Sequence, residues 1–178
     1  MFPNFNAVKK WSTYMVLDTK VVYLLLGSNL GERDLLIEEA IVHINKRIGP
    51  INLRSSFYET KAWGKVDQPA FLNLALAVET SLTALEVLSS VLEIEKELGR
   101  VRLEKWGERL IDIDLIFYND AIINLPGQLQ IPHPEMHNRR FVMVPMAEIA
   151  GAVQHPVFKK SVTELLQSLS DNLAVLKI

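Results

Sequence analysis

The stretch RLIDIDLIFY at residues 109–118 places two acidic side chains within an apolar run and predicts a β-strand. Successive side chains of a strand point to opposite faces, so Asp112 and Asp114 share one face. The apolar side chains expected on the other face are those of Ile111, Ile113, Leu115 and Phe117. We therefore expect this strand to face a hydrophobic core on one side and to carry two neighbouring carboxylates on the other.

Three other segments have the apolar, β-rich character of strands and are bounded by turn residues. They lie at residues 21–27, 51–60 and 71–80. Together with residues 109–118, they supply four predicted strands.

Two helices are predicted between these strands. Apolar residues recur at helical spacing from Leu35 onward, and Gly49, which precedes a proline, is expected to end that helix. The capping-box pattern Thr83-x-x-Glu86 opens a second helix that runs through Leu98. The resulting order, β-α-β-β-α-β, is typical of a ferredoxin-like α+β sandwich whose helices cover one face of a mainly antiparallel sheet.

Residues 131–178 extend this unit as C-terminal additions. A second capping-box pattern, Ser161-x-x-Glu164, predicts a final helix there. No linker or low-complexity stretch divides the chain, so we expect residues 21–178 to form a single domain and residues 1–20 to be an N-terminal extension.

The composition narrows the class of protein. The 178 residues are 49% hydrophobic and carry a formal net charge of −2, which argues against general attraction to nucleic acids or membrane surfaces. No apolar run approaches the roughly 18 residues that a membrane span needs. The chain has no cysteine, which excludes disulfide and thiolate chemistry and is compatible with a cytoplasmic location.

The carboxylate pair predicts a metal site. Two neighbouring carboxylates on a strand repel each other, and a hard divalent cation between Asp112 and Asp114 would remove that repulsion. Mg²⁺ typically takes one or two carboxylates together with substrate phosphates. The simpler alternative is that both aspartates lie on the solvated face of an amphipathic strand.

Three arginines close to this strand indicate a phosphate-rich ligand. The guanidinium groups of Arg100, Arg102 and Arg109 stay charged and offer forked donors to phosphate oxygens. The sequence contains neither a P-loop nor a Gly-x-Gly-x-x-Gly motif, so arginines and metal would have to hold a nucleotide instead. The alternative is that the arginines pair with Glu104 and Glu108 on the surface.

Two further segments carry candidate binding residues. In the loop and strand at residues 60–73, Trp63, Phe71 and Asn73 suit a flat, hydrogen-bonding heterocycle, although aromatic residues near strand ends also occur in cores. His133 lies between two prolines, and with Arg139 it could bind a phosphate. A structural histidine in a loop is the alternative for this position.

Several motifs together resemble one enzyme family, the 6-hydroxymethyl-7,8-dihydropterin pyrophosphokinases of folate biosynthesis. They are YLLLGSNLGER at 23–33, SSFYET at 55–60, DQPAFLN at 67–73, GRVR and KWGERLIDIDLIFY within 99–118, and IPHPEMHNRRFV at 131–142. The resemblance implies transfer of the pyrophosphoryl group of ATP to the hydroxymethyl oxygen of the pterin, with release of AMP. It also implies a ferredoxin-like fold and two Mg²⁺ ions, and we expect a monomer whose partners are the small-molecule substrates alone.

The same resemblance implies roles for individual residues. It makes Asp112 and Asp114 the metal ligands and gives Arg100 and Arg109 catalytic roles. The implied ATP contacts are Arg100, Arg102, Trp106, Leu115, His133 and Arg139. The predicted pterin contacts are Thr60, Trp63, Phe71, Asn73, Trp106 and Phe141.

Three positions depart from the family pattern, and two other functions stay open. Leu92 replaces a glutamine near ATP, Lys61 replaces a proline, and Pro134 replaces a tyrosine; each change affects one contact. Another Mg²⁺-dependent nucleotidyl- or phosphotransferase could also use such an aspartate pair. A ferredoxin-like RNA-binding module is the other alternative, although the basic and aromatic strand expected of one is absent.

Overall fold

The computed structural model describes residues 19–61, 68–100 and 109–178. In these residues the strands are β1 Lys20–Ser28, β2 Ile51–Arg54, β3 Tyr58–Thr60, β4 Phe71–Thr80, β5 Asp112–Tyr118, β6 Ile123–Leu125, β7 Leu129–Ile131 and β8 Val175–Lys177. The helices are α1 Arg33–Arg47, α2 Ala84–Glu97, α3 Arg140–Ala150 and α4 Val162–Gln167, and a 3-10 turn spans Met136–Asn138.

The main sheet has the strand order expected of a ferredoxin-like sandwich. Strands β5, β1, β4, β3 and β8 lie side by side, β2 also pairs with β4, and every pairing is antiparallel. Strands β6 and β7 form a separate two-stranded ribbon. The predicted α+β fold is thus confirmed, and β8 adds an edge strand to it.

The strand predicted at residues 51–60 is in fact two strands, β2 and β3. Ser55 interrupts it: its hydroxyl accepts a hydrogen bond from the Ala75 amide at 2.9 Å. The Ser55 amide donates to the Ala75 carbonyl, also at 2.9 Å. The Ser55 side chain therefore supplies a hydrogen-bond acceptor that strand β4 would otherwise find in a backbone carbonyl. The alternation of apolar residues does not reveal such a break in the strand.

The sheet has a hydrophobic core on each face. Helices α1 and α2 bury Leu24, Leu26 and their neighbours on the first face. Helices α3 and α4 cover the second face, where Met143 of α3 packs with Leu25 and Phe117 of the sheet. The C-terminal additions thus form a third layer on the face that the helices of the ferredoxin-like unit do not cover.

A β-bulge at Ile116 corrects the predicted faces of β5. Leu115 pairs with Leu24, whereas Phe117 pairs with Tyr23, so Ile116 is an extra residue between the two pairs. Phe117 consequently belongs to the second core and not to the first, where strict alternation placed it. The predicted faces of Asp112 and Asp114 are unaffected because both precede the bulge.

Both capping-box helices begin where the sequence predicts. Thr83 and Ser161 are the N-caps of α2 and α4, and in each box the side chains of the cap and of the third helical residue bond reciprocally to the backbone. Gly49 follows α1 with φ +149°, and a β-carbon there would lie 2.0 Å from the Glu79 carbonyl oxygen. Only glycine fits this close approach.

Glu148 on α3 connects the third layer to the sheet edge. Its carboxylate accepts hydrogen bonds from the Ser56 amide and hydroxyl and from the Tyr58 hydroxyl, each at 2.9 Å, and an ion pair from Lys177 at 3.0 Å. Burial alone would raise the pKa of Glu148, but these donors lower it from 4.5 to about 2. The ionised form is therefore preferred in the folded protein.

Glu148→Gln is expected to destabilise the protein by about 1–2 kcal/mol at pH 7, because a charged acceptor shared by four donors is lost. Since the folded pKa is lower than the unfolded one, the stabilisation is complete above pH 4.5 and disappears as the pH falls towards 2. Thermal unfolding across this range measures it. Glu38→Gln, which removes an exposed pair with Arg54, is the control and should change stability little. Equal acid sensitivity of the wild type and Glu148→Gln would contradict this assignment.

Candidate active site

Two cavities meet at the amino-terminal end of β5. The larger, about 420 Å³, lies between α2, β5 and the β6–β7 ribbon, and the smaller lies over β3, β4 and the start of α3. Asp112 and Asp114 line both cavities. The two predicted carboxylates therefore stand where ligands in the two cavities would meet.

The floor of the site is a row of residues that crosses the sheet. Asp112 on β5 pairs with Gly27 on β1, which pairs with Asn73 on β4, and Asn73 pairs with Tyr58 on β3. Neighbouring strands are about 4.8 Å apart, so Asp112 and Asn73 are separated by roughly 10 Å of backbone. A β-carbon on Gly27 would lie 3.3 Å from Asn73 Oδ1, so glycine keeps this floor open beside the amide.

Arginine side chains hold both oxygens of Asp112. Arg100 Nη1 lies 2.7 Å from Asp112 Oδ1, and Arg109 Nη1 bonds to Asp112 Oδ2. Arg100 also pairs with Glu95 on α2. The structure thus brings the two predicted catalytic arginines into direct contact with a predicted metal ligand.

Glu95 is a buried acidic residue that the sequence reasoning left without a role. It is 2% exposed and accepts a hydrogen bond from the Ile113 amide at 2.7 Å in addition to its contact with Arg100. Burial raises the pKa of Glu95, and the Arg100 charge opposes that rise. Glu95 therefore fixes Arg100 to β5, and its position among the buried residues of α2 was the available signal.

Asp114 differs from Asp112 in its surroundings. It accepts no hydrogen bond from any described residue, and burial followed by the charge of Asp112 raises its pKa to about 7. Arg139 and Arg109 oppose this rise. A cation bound nearby would stabilise the ionised form of a carboxylate in such surroundings.

The donor set suits Mg²⁺. Asp112 and Asp114 offer hard oxygen ligands at the junction of the cavities, and among the described residues no group of three or more potential protein ligands gathers. Mg²⁺ commonly binds through one or two carboxylates, completed by water and substrate phosphates. The pair therefore fits a metal that is shared with a phosphate-bearing ligand.

His133 and Arg139 line different cavities. His133 lies in the larger cavity, where its Nδ1 accepts a hydrogen bond from the Glu135 amide at 3.2 Å. Burial and the charge of Arg139 lower its pKa to about 4, so its imidazole is neutral at pH 7. Arg139 lies in the smaller cavity.

The smaller cavity gathers the predicted heterocycle contacts. Asn73 is 2% exposed, and its Nδ2 donates to Thr60 Oγ1 at 3.0 Å. Phe71 and Phe141 are half-buried in its wall. An amide held by a neighbour between two rings can read the edge of a flat heterocycle.

Asn29 ties two parts of the site together and was not predicted. Its Oδ1 accepts a hydrogen bond from the backbone N–H of Arg109 at 2.9 Å, and the backbone N–H of Asn29 donates to the Arg109 carbonyl at 3.2 Å. Its Nδ2 lies 3.4 Å from both Gln68 Oε1 and the Pro69 carbonyl oxygen. The end of β1 thus positions the backbone of Arg109, a contact between residues 80 positions apart.

The departures from the family pattern also lie in these walls. Leu92 and Pro134 line the larger cavity with Leu115, and Lys61 lines the smaller one. Three predicted residues fall outside the described residues: Trp63, Arg102 and Trp106. In the part of the chain that the structure describes, no helix is long and apolar enough to cross a membrane.

Comparison with known proteins gives a consistent match. A family described as 7,8-dihydro-6-hydroxymethylpterin-pyrophosphokinase matches residues 23–151. A 2-amino-4-hydroxy-6-hydroxymethyldihydropteridine pyrophosphokinase of Aquifex aeolicus is 42% identical over 143 residues, covering 80% of this chain and 88% of that protein. The protein of the same name from Haemophilus influenzae is 40% identical over 151 residues, covering 84% and 93%.

A solved structure shares the fold. Wild-type HPPK-DHPS of Plasmodium falciparum with pteroate matches with a TM-score of 0.69 at 18% identity, covering 84% of this chain. The present chain spans 44% of that longer protein.

Proposed function

The chain belongs to the 7,8-dihydro-6-hydroxymethylpterin-pyrophosphokinase family, and from that premise we propose how its residues carry out the reaction. The enzyme transfers the pyrophosphoryl group of ATP to 6-hydroxymethyl-7,8-dihydropterin in folate biosynthesis. Membership of this family argues against the two alternatives that the sequence left open, a ferredoxin-like RNA-binding module and another Mg²⁺-dependent nucleotidyl- or phosphotransferase. The observation that carries the assignment of roles is that two cavities share Asp112 and Asp114.

ATP is proposed to bind in the larger cavity. Leu88, Leu92 and Leu115 offer an apolar wall for the base, and Arg100 lies at the polar end beside the carboxylates. A neutral His133, whose Nδ1 already accepts from the Glu135 amide, can donate a hydrogen bond to the nucleotide through Nε2 without adding charge. This orientation directs the phosphates towards Asp112.

The pterin is proposed to bind in the smaller cavity. Phe71 and Phe141 would stack on its two faces, while Asn73, held by Thr60, would pair with its ring nitrogens. Arg109 and Arg139 also line this cavity, so they lie where a phosphate group would approach the pterin. Contacts by Trp63, Arg102 and Trp106 stay predictions from the sequence.

Asp112 and Asp114 are proposed to hold Mg²⁺, and the resemblance implies two ions. When bound, Mg²⁺ neutralises phosphate charge and orients phosphate oxygens. The protein's share of the work is positioning: the two cavity walls bring the hydroxymethyl oxygen and the β-phosphorus together, and the arginines hold the phosphates in line. The pterin hydroxymethyl oxygen bonds to the β-phosphorus as the bond from that phosphorus to the leaving oxygen of AMP breaks, and the hydroxyl proton is released to solvent.

The decisive assay mixes the protein with ATP, Mg²⁺ and 6-hydroxymethyl-7,8-dihydropterin and identifies the nucleotide product. We expect AMP and the pterin pyrophosphate in equal amounts. ADP or free pyrophosphate as the product would contradict the assignment.

Arg100→Ala is expected to lower kcat much more than it weakens ATP binding. A contact completed only as charge develops in the transition state affects kcat, and removal of such a donor typically costs about 100-fold. Steady-state kinetics with ATP calorimetry measure the two effects. Arg54→Ala, which removes an exposed arginine paired with Glu38, is the matched control. An effect confined to KM would contradict this role.

We also propose a cytoplasmic monomer whose residues 21–178 act as one domain, with residues 1–20 as an extension. The absence of cysteine supports a reducing compartment. Sedimentation of the full chain tests the monomer directly, and a dimer at micromolar concentration would contradict it.

A further inference from the structure

Asp112 and Asp114 lie only two residues apart, but their carboxylates differ in their ion-pair and hydrogen-bond partners. Arg100 and Arg109 take one oxygen each of Asp112, whereas Asp114 accepts no hydrogen bond from the described residues. The side chains of Asp112, Arg100 and Arg109 are only 20%, 14% and 21% exposed, so water screens these ion pairs weakly. Asp112 is thus occupied by two guanidinium groups, whereas the described residues leave the oxygens of Asp114 available to a cation.

We infer that Arg100 and Arg109 compete with the metal for Asp112, so that metal binding and nucleotide binding are coupled. The inference rests on the proposed function, because it takes Asp112 as a ligand of the metal. A cation that binds Asp112 must share an oxygen with a guanidinium or displace that guanidinium, because each oxygen already contacts one. Repulsion between the two cations in the first case, and loss of a weakly screened ion pair in the second, lowers the affinity of the nucleotide-free protein for the metal.

Nucleotide phosphates would restore the affinity for the metal that the arginine–Asp112 ion pairs lower. A polyphosphate in the larger cavity offers the guanidinium groups new oxygen partners, so they can leave Asp112 without losing their hydrogen bonds. Arg100 is further suited to the exchange because the same Nη1 also contacts the buried Glu95, so Arg100 keeps one ion-pair partner when it leaves Asp112. Each ligand therefore improves the binding of the other by the same factor, which is typically about 5- to 150-fold for coupled sites.

The experiment titrates Mn²⁺ into the full-length protein without nucleotide and follows free Mn²⁺ by electron paramagnetic resonance. Arg100→Gln and Arg109→Gln should each bind Mn²⁺ alone about tenfold more tightly than the wild type. Arg139→Gln is the matched control, because Arg139 acts on Asp114 by charge but forms no described ion pair with Asp112. It should change Mn²⁺ affinity clearly less.

Unchanged or weaker Mn²⁺ binding by both variants overturns the inference. Equal tightening in all three arginine variants also overturns it, because removal of any nearby positive charge would then suffice. Arg109→Gln leaves the Arg100–Glu95 contact in place, so it tests the inference even if Arg100→Gln folds poorly.

Asp112→Asn and Asp114→Asn separate this inference from the metal assignment itself. If both bind Mn²⁺ as the wild type does, with and without a non-hydrolysable ATP analogue, the proposed metal site is wrong. If they lose Mn²⁺ while the arginine variants match the wild type, only the competition is wrong.

Discussion

Asp114→Ala loses most of the turnover, by about three orders of magnitude, and keeps its fold. The loss follows because a metal ligand at the junction of both cavities stabilises charge on the transferred group, an effect worth several kcal/mol. The fold is retained because Asp114 accepts no hydrogen bond from the described residues and is repelled by Asp112. Its removal relieves that repulsion.

Asp112→Ala shows a similar loss of turnover but also lowers stability, because Arg100 and Arg109 lose their shared partner. Turnover is measured at saturating ATP and limiting Mg²⁺, and stability by thermal unfolding. Asp120→Ala, which removes an exposed aspartate just beyond the same strand, is the control and should retain activity. Near-normal turnover of either site variant at limiting Mg²⁺ would refute the metal assignment.

The second large effect concerns Asn73→Ala, which is expected to weaken pterin binding about 10- to 100-fold and ATP binding far less. A buried ring edge left without its partner costs about 1–3 kcal/mol. Asn73 stands two strands away from Asp112, so the loss should stay within the smaller cavity.

Calorimetry with each substrate separately measures the two affinities. Asn52→Ala removes an exposed asparagine that bonds to Glu79 and should leave both unchanged. Thr60→Val removes the hydroxyl that holds Asn73 and should weaken pterin binding to a smaller extent. Equal weakening of both substrates in Asn73→Ala would argue against a pterin pocket there.

The fold was largely predictable because its signals are local. Apolar alternation, the capping boxes at Thr83 and Ser161 and the glycine that ends α1 each depend on neighbouring residues. Two predictions were wrong for a common reason: the face assigned to Phe117, and the single strand assigned to residues 51–60. Both depend on hydrogen bonding to a partner strand, which no single segment encodes.

The candidate site divides in the same way. The aspartate pair was visible as two acidic residues in an apolar strand, and the neighbouring arginines were close in sequence. Asn29 and Gly27 act through partners far along the chain, Arg109 in one case and Asn73 in the other. Their roles became apparent only when the strands were paired.

The bulge at Ile116 also bears on how this strand can change in length. Pairing is regular up to Leu115 and regular again from Phe117, so Ile116 is the one position whose removal leaves every other residue of β5 on its present face. A deletion or insertion nearer Asp112 would turn the carboxylates into the core. The strand therefore has one place where its length can vary over evolution while the chemistry at its other end stays in register.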